Sequence, residues 1–299
     1  MVEVTRSGFV AIVGRPNVGK STLMNHILGQ KISITSHKPQ TTRHRILGIK
    51  SEGDLQVIYV DTPGLHLQAK KAVNRYMNRA ASSSLSDVDL ILFVLEAGRW
   101  TDEDENVLLQ LKNARAPVMA VVNKVDRLNE KNELLPYLAK LGQRHAFDEV
   151  LPVSALKGDN IGALEAVVEK RIPEGPALFP ADQVTDRSER FLAAELVREK
   201  LMRNLGKEIP YALTVEIEQF REEEERLRIN ALIWVERDSQ KRIVIGKGGR
   251  VLKEVGRQAR LDMERLFGQH VFLELWVKVK EGWSDSERSL RNFGYRDEY

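Results

Sequence analysis

The chain has 299 residues, 42% of them hydrophobic, which is enough for two separate cores. Lys and Arg number 46 against 43 Asp and Glu, a formal charge of +3, so any nucleic-acid partner must be met by a local basic face rather than by a strongly cationic whole. The absence of cysteine excludes disulfides, thiolate metal sites and a cysteine nucleophile; the polar opening segment and the lack of any apolar run near ~20 residues lead us to expect a soluble, cytoplasmic protein.

In chain order, Phe9 to Val13 reads as a buried strand and Ser21 to Leu28 as a helix, and between them lies Gly14-Arg15-Pro16-Asn17-Val18-Gly19-Lys20-Ser21. This fits G-x-x-x-x-G-K-[ST], in which glycines turn backbone N–H groups toward phosphate oxygens, a lysine supplies a point charge, and the positive helix end faces the anion. A polar, basic segment, His37 to Arg45, precedes two strand candidates, Ile46 to Ile49 and Gln56 to Val60. The second ends in Asp61-Thr62-Pro63-Gly64. A carboxylate at a strand tip beside a phosphate loop suits a magnesium-bound water, and the glycine lets backbone approach a terminal phosphate; an ordinary D-x-P-G turn is the bland alternative.

Leu90 to Leu95 is a continuous apolar strand, and Asp102-Glu103-Asp104-Glu105 reads as the solvated first turn of a helix. Val118 to Val122 is a further buried strand ending in Asn123-Lys124-Val125-Asp126, and Leu151 to Val153 is a short one ending in Ser154-Ala155-Leu156. Strands alternating with helices predict an α/β fold with a mostly parallel sheet covered on both faces and ligands beyond the strands' carboxyl ends. Asn123-Lys124-x-Asp126 favours guanine, because an aspartate accepts from both the ring N–H and the exocyclic amine; taken alone the tetrapeptide is also an ordinary strand-to-helix turn.

These five segments, in this order, resemble the motifs of the translation-factor-related GTPases. The resemblance implies that Gly14 to Thr22, Asp61 to Gly64, Asn123, Lys124, Asp126 and Ser154 to Leu156 hold GTP or GDP. Lys20 would bind the β and γ phosphates; Ser21 and Thr42 would ligate Mg²⁺, Thr42 only with GTP; Asp61 would hold a metal-bound water. Gly64 would report the γ phosphate and, with Lys20 and Thr42, act in catalysis, while the Ala155 N–H would meet the guanine oxygen. Leu65 stands where related enzymes carry a water-orienting glutamine, so slow intrinsic hydrolysis is expected. Asn17 resembles an asparagine that binds K⁺ in some members; a loop-shaping role is the alternative.

Residues 173–187 hold three prolines and a glycine, the last of them Pro180, and read as a linker between a GTPase domain (1–172) and a second domain (188–299). Ser188 to Asn204 is an amphipathic helix; Tyr211 to Phe220 and Ile229 to Val235 alternate as strands, with Arg221 to Arg228 as their hairpin loop. Next come Gly246-Lys247-Gly248-Gly249, a helix through Phe267 and a strand from Val271 to Val279. On that helix Arg250, Lys253, Arg257 and Arg260 share one face, and Val251, Leu252, Val255, Ala259, Met263 and Leu266 line the other. A glycine-hinged loop at the head of a basic helix suits a nucleic-acid backbone; the bland alternative is a solvated basic helix after a tight turn. Whether residues 241–245 are helix or strand is open, and Trp234, Phe272 and Trp276 have strand positions expected in the core.

This half resembles a smaller α+β, type II KH domain with Gly246 to Gly249 as its backbone clamp and Arg250, Lys253 and Arg257 beside it. The whole chain resembles the Era family of bacterial GTPases, including Gln40 to Arg45, Glu274 to Lys280 and Leu290 to Tyr295. That resemblance implies binding to the 3′ end region of small-subunit (16S) ribosomal RNA, assistance to 30S subunit assembly and maturation, no DNA partner, and peripheral inner-membrane association in some members. The alternative is a nucleotide-regulated RNA- or protein-binding checkpoint module in which hydrolysis only resets the state.

Overall fold

Continuous apolar runs form the strands of the first half, as a sheet covered on both faces requires. The computed structural model describes residues 5–64, 72–83, 85, 87–128, 130–206, 209–293 and 295. Chain contacts divide the molecule into two units, with a boundary between Asp186 and Arg187.

In the first unit β1 (Arg6–Val13) leads into α1 (Lys20–Leu28), followed by β2 (Ile46–Glu52), β3 (Leu55–Asp61), the part of α2 (Ala72–Ser83) from Met77 onward, β4 (Leu90–Glu96), α3 (Asp102–Leu111), β5 (Val118–Asn123), α4 (Leu134–Arg144), β6 (Glu149–Pro152) and α5 (Ile161–Arg171). The sheet order is β2-β3-β1-β4-β5-β6, parallel throughout except for β2, which runs antiparallel to β3. Central residues such as Ala11, Ile91, Phe93, Ala120 and Val122 are fully enclosed. Register aligns the strands' carboxyl ends, pairing Ile12 with Asp61 and Glu96 with Asn123, which gathers the sequence motifs at one edge of the sheet.

The proline-rich stretch lies along this unit. Ser7 N–H donates to the Pro173 carbonyl at 3.2 Å, Gly175 N–H to Thr5 at 2.8 Å, Leu178 N–H to Gln56 Oε1 at 2.7 Å and Ile49 N–H to Val184 at 2.9 Å. Prolines lack the donor that would let such a stretch join a sheet ladder fully, yet their carbonyls still accept.

The second unit contains α6 (Glu189–Asn204), β7 (Leu213–Glu223), β8 (Arg226–Val235), α7 (Asp238–Ile245), α8 (Arg250–Phe267), β9 (Val271–Val279) and α9 (Glu287–Asn292). Its sheet order is β7-β8-β9, with β7 and β8 antiparallel and β8 and β9 parallel. Leu196, Val197 and Leu201 of α6 pack with Val255, Ala259 and Met263 of α8 over Val215, Ile229 and Ile233. Contacts also place Ile34–Thr41 in this unit.

Two expectations change here, and one open question is answered. The hairpin loop expected over Arg221 to Arg228 shrinks to Glu224-Glu225, because Phe220 and Leu227 carry the core-facing pattern onward and Glu223 pairs with Arg226 at 3.0 Å. Residues 241–245 are helical, α7 being capped by Gln240, whose Oε1 accepts from Glu236 N–H at 2.9 Å. Phe272 and Trp276 are not core residues: the period of two sends Val271, Leu273, Leu275 and Val277 to the helices, leaving Phe272 38% and Trp276 59% exposed on the opposite face.

Candidate nucleotide and RNA sites

The phosphate loop closes on itself through Lys20. Its ammonium donates to the Gly14 carbonyl at 2.8 Å and to the Arg15 carbonyl at 3.0 Å. Burial lowers its pKa to about 8, against the opposing pull of Asp61. No side chain caps the start of α1 at Gly19, so its backbone donors face the loop, the arrangement a phosphate needs. Asn17 adopts the left-handed conformation, φ +65°. Gly64 is required by close approach: a Cβ there would stand 2.9 Å from Pro16 Cγ and 3.1 Å from the Pro16 nitrogen. Thr62 Oγ1 anchors the same turn by donating to the Ile12 carbonyl at 3.0 Å, and Pro63 is buried beside it.

Ser21, Thr42 and Asp61 converge. Ser21 Oγ lies 2.9 Å from Thr42 Oγ1 and donates to Asp61 Oδ2 at 2.7 Å. Thr41 turns elsewhere, to the Lys38 carbonyl at 2.7 Å. Asp61 is fully buried, and burial raises its pKa even beside Lys20. Its Oδ1 has no hydrogen-bond partner among the described residues. An orphaned buried carboxylate oxygen flanked by two hydroxyls fits Mg²⁺ with its water. Ser33 Oγ also donates to Asp61 Oδ2 at 2.7 Å; it sits in no motif, and nothing in its sequence neighbourhood marks it.

At the guanine end Asn123 binds the loop's far side. Its Nδ2 donates to the Val18 carbonyl at 2.8 Å and its Oδ1 accepts from Ala155 N–H at 2.9 Å, so that donor is already engaged by Asn123. Asp126 is exposed, with Oδ1 accepting from Ser154 Oγ at 2.6 Å, which orients the carboxylate. Leu156 is exposed beside it. Thr22, in the first turn of α1, is half-buried.

One carboxylate that the motifs do not name ties these ends together, and a second holds the phosphate-loop side. Glu96, ending β4, accepts from Arg15 Nη2 at 2.5 Å with one oxygen and from Lys124 Nζ at 3.0 Å with the other. Burial would raise its pKa, but hydrogen bonds from Arg15 and Lys124 outweigh burial and hold it below the usual carboxylate range. Asp104 is fully buried rather than part of a solvated turn. It accepts from Arg15 Nε at 3.1 Å and caps α3 through Thr101 Oγ1 at 2.8 Å. Position could have flagged Glu96, a carboxylate at a strand's carboxyl end beside the other motifs; the acidic run hid Asp104. Leu65 falls outside the described residues.

In the second unit Gly246, Lys247, Gly248 and Gly249 form the turn between α7 and α8, with Gly248 at φ +61° and Gly249 at φ +76°. Gly249 caps α8 without a side-chain bond, leaving the helix start open. The expected basic face divides in two. Arg257 pairs with Glu254 at 2.7 Å and Arg260 with Glu264 at 2.8 Å, whereas Lys247, Arg250 and Lys253 have no acidic partner among the described residues.

Helix α6 holds buried charge that its amphipathic pattern concealed. Glu195, Arg198, Glu199 and Lys200 are all buried. Arg198 grips Glu195 at 2.6 Å through two nitrogens and also reaches the Thr41 carbonyl, while Glu199 accepts from Thr35 N–H at 2.9 Å. The residues immediately before Thr42 are thus held by α6.

Among the described residues no helix is long and apolar enough to cross a membrane. The family model described as 50S ribosome-binding GTPase matches residues 9–124, and the KH domain model matches residues 208–284. GTPase Era of Ectopseudomonas mendocina is 58% identical over 294 residues, 98% of either chain, and that of Azotobacter vinelandii 60% over 292 residues, 98% of this chain and 97% of the relative. A variant of Aquifex aeolicus Era crystallised with GDP and AlF₄⁻ superposes with a TM-score of 0.93 at 40% identity, covering 98% of this chain and all of that one. Era in complex with MgGDPNP and nucleotides 1506–1542 of 16S ribosomal RNA gives the same TM-score, identity and coverage. With near-complete coverage by such relatives and both domains matched, the chain belongs to the Era family of GTPases.

Proposed function

We propose that this GTPase is a nucleotide-driven switch that binds the 3′ end region of 16S ribosomal RNA and assists assembly and maturation of the 30S subunit. The observation that carries the reading is the Gly246–Gly249 turn, which joins an open helix start to three cations, Lys247, Arg250 and Lys253, that no acid among the described residues neutralises. The Era relative that holds nucleotides 1506–1542 of 16S ribosomal RNA supports it. The working domains are a GTPase domain over 1–172, a connecting stretch over 173–187 and an RNA-binding domain over 188–299. A cytoplasmic location with peripheral contact to the inner membrane belongs to the same reading.

In the site, Lys20 and the open start of α1 bind the β and γ phosphates, and Asp126, oriented by Ser154, selects guanine. Ser21, Thr42 and Asp61 would hold Mg²⁺, whose chemistry there is neutralisation of phosphate charge. Gly64 brings backbone N–H within reach of the γ phosphate. Hydrolysis then rests on positioning and electrostatics, with Leu65 supplying no water-orienting group and slow intrinsic turnover following. Asn17, exposed at the loop's outer side, would receive K⁺; equal turnover in K⁺ and Na⁺ removes that role.

The switch works through Thr42. Thr42 lies beside Ser21 while α6 holds the residues just before it, so a γ phosphate that engages Thr42 acts on a segment anchored at Thr35 and Thr41. Nucleotide-dependent engagement of Thr42 thereby shifts the segment that α6 holds, and equal cross-unit fluorescence distances with GDP and a GTP analogue would refute this.

The test of the whole is titration of labelled RNA matching the 3′ tail of small-subunit ribosomal RNA, with GDP or a non-hydrolysable GTP analogue, in wild type and Gly248→Asp. No described atom lies within 4 Å of a Cβ at Gly248, so the variant adds charge and φ strain at the clamp without a clash. The expected result is tighter binding with the GTP analogue, lost in the variant. Binding indifferent to both leaves the GTPase and removes the RNA clamp. A checkpoint module is the second reading, favoured by Leu65; stimulation of turnover by RNA or ribosomal subunits would exclude it.

A further inference from the structure

The face of the second sheet opposite α6, α7 and α8 has a repeating chemistry that the Gly246–Gly249 turn does not use. Register lines up Arg221, Arg228 and Phe272 across the three strands; the next row holds Asn230 and Glu274 beside Gln219, and the one after it Glu216, Leu232 and Trp276. The Arg226 and Arg228 guanidiniums stack on Phe272 with centroid distances of 5.1 and 5.3 Å. The Gln219 and Asn230 amides bond to each other at 2.9 Å and border an open cavity of about 420 Å³. Trp276 is 59% exposed, and its indole makes no ring, cation or hydrogen-bond contact among the described residues.

We infer that this open face, centred on Trp276 and Phe272, is a second binding surface for single-stranded RNA. The rings stand four residues apart on one strand, roughly 13 Å at the rise of an extended chain. Polar amides lie between them. Two aromatic platforms flanking hydrogen-bonding side chains match about three unstacked bases, the outer ones stacked and the middle one read at its edge. Protein docking would need contiguous apolar surface, which the intervening amides and ion pairs interrupt. Carboxylates on the face are already engaged, Glu274 with Arg228 at 3.4 Å, Glu218 with Lys278 at 3.5 Å and Glu216 with the Trp234 indole N–H at 2.9 Å, so contact comes from stacking more than from net charge. Both helices that flank the Gly246–Gly249 turn pack against the other face of β9, so the turn and the aromatic face share one strand, and an RNA long enough to pass around it spans both.

This inference rests on the RNA-binding reading above, and two RNA lengths separate the two. A four-nucleotide RNA occupies the clamp alone, whereas one of about twelve nucleotides extends beyond it. Trp276→Ala weakens the longer RNA roughly tenfold and leaves the shorter one unchanged, Trp276→Phe stays within about threefold of wild type, and the salt dependence keeps its slope in both. Gly248→Asp weakens both lengths if the clamp reading holds, and an unchanged four-nucleotide affinity in that variant overturns the clamp without touching the Trp276 comparison. Equal binding of the longer RNA by wild type and Trp276→Ala overturns the second surface and leaves the face to a protein partner. Equal weakening of both lengths by Trp276→Ala, with a lowered melting temperature, overturns it as a folding effect.

Discussion

Glu96 touches both the phosphate loop and the guanine motif from outside either, and Glu96→Gln tests whether that bridge matters. Its two oxygens hold Arg15 at 2.5 Å and Lys124 at 3.0 Å, with the side chain 18% exposed. The amide of glutamine keeps one acceptor and turns an NH₂ toward the other cation. Hydrogen bonds to charged groups are worth about 1.5–3 kcal/mol, and Arg15 retains Asp104 at 3.1 Å, so the net loss falls near 1–2 kcal/mol. Since about 1.4 kcal/mol is tenfold, GDP should dissociate roughly five- to thirtyfold faster, while its association rate stays the same. Stopped-flow displacement of a fluorescent GDP measures this directly. A mutant cycle separates bridging from general loosening: Arg15→Ala and Lys124→Ala should couple by about 1 kcal/mol in the wild-type background and be additive beside Glu96→Gln. A dissociation rate within twofold of wild type, or coupling that survives the loss of Glu96, refutes the bridge.

Lys20 gives a pH signature. Its pKa in the nucleotide-free fold is about 8 against 10.5 unfolded, so between those values the unfolded chain binds more protons and the nucleotide-free fold gains stability as pH rises. Phosphates reverse the shift, so GDP binding in EDTA should take up a proton near pH 9 and weaken by up to about tenfold per pH unit above 8, read by calorimetry in buffers of different ionisation enthalpy. Gly64→Ala, with its Cβ 2.9 Å from Pro16, should lower turnover at least about tenfold at unchanged secondary structure, and near-normal turnover would show the turn free to move. Lys253→Ala should reduce the salt slope of RNA binding by about 0.7, one phosphate's worth, whereas Arg257→Ala, already paired with Glu254 at 2.7 Å, should change it less; equal slopes would show the pairing to be irrelevant.

Much of the nucleotide site was legible because its chemistry is local. A phosphate loop must be contiguous to curl its N–H groups around one anion, and Asp61 to Gly64 and Asn123 to Asp126 sit where buried strands end, so strand pattern and motif support one another there. What stayed hidden depends on contacts between segments distant in sequence. Ser33 reaches Asp61, Glu96 reaches Arg15, and Glu199 reaches Thr35 only after the chain folds. Asp104 misled in the opposite direction: a run of four acids at a helix start reads as solvated, yet one of them is drawn inside because the Arg15 guanidinium compensates its burial. On β9 the alternation itself was readable, but which of its two faces met the helices was not, so Phe272 and Trp276 were assigned to the wrong side.

The same bookkeeping of charge separates two kinds of cation in the second unit. Cations held by an acid within one helical turn, such as Arg257 and Arg260, have spent most of their field before a ligand arrives. Lys200, buried between Glu199 at 2.8 Å and Asp262, is wholly structural. Lys247, Arg250 and Lys253 have no such partner among the described residues and cluster where the Gly246–Gly249 turn opens a helix start. A chain of formal charge +3 can therefore present a concentrated positive site without a strongly basic composition, because acids quench Arg257, Arg260 and Arg265 along α8 and leave the cations at its start unpaired among the described residues. Substituting an acid that quenches Arg257, as in Glu254→Gln, should on this argument strengthen RNA binding and steepen its salt dependence, and a weaker complex would mean that Glu254 orients Arg257 for its phosphate instead.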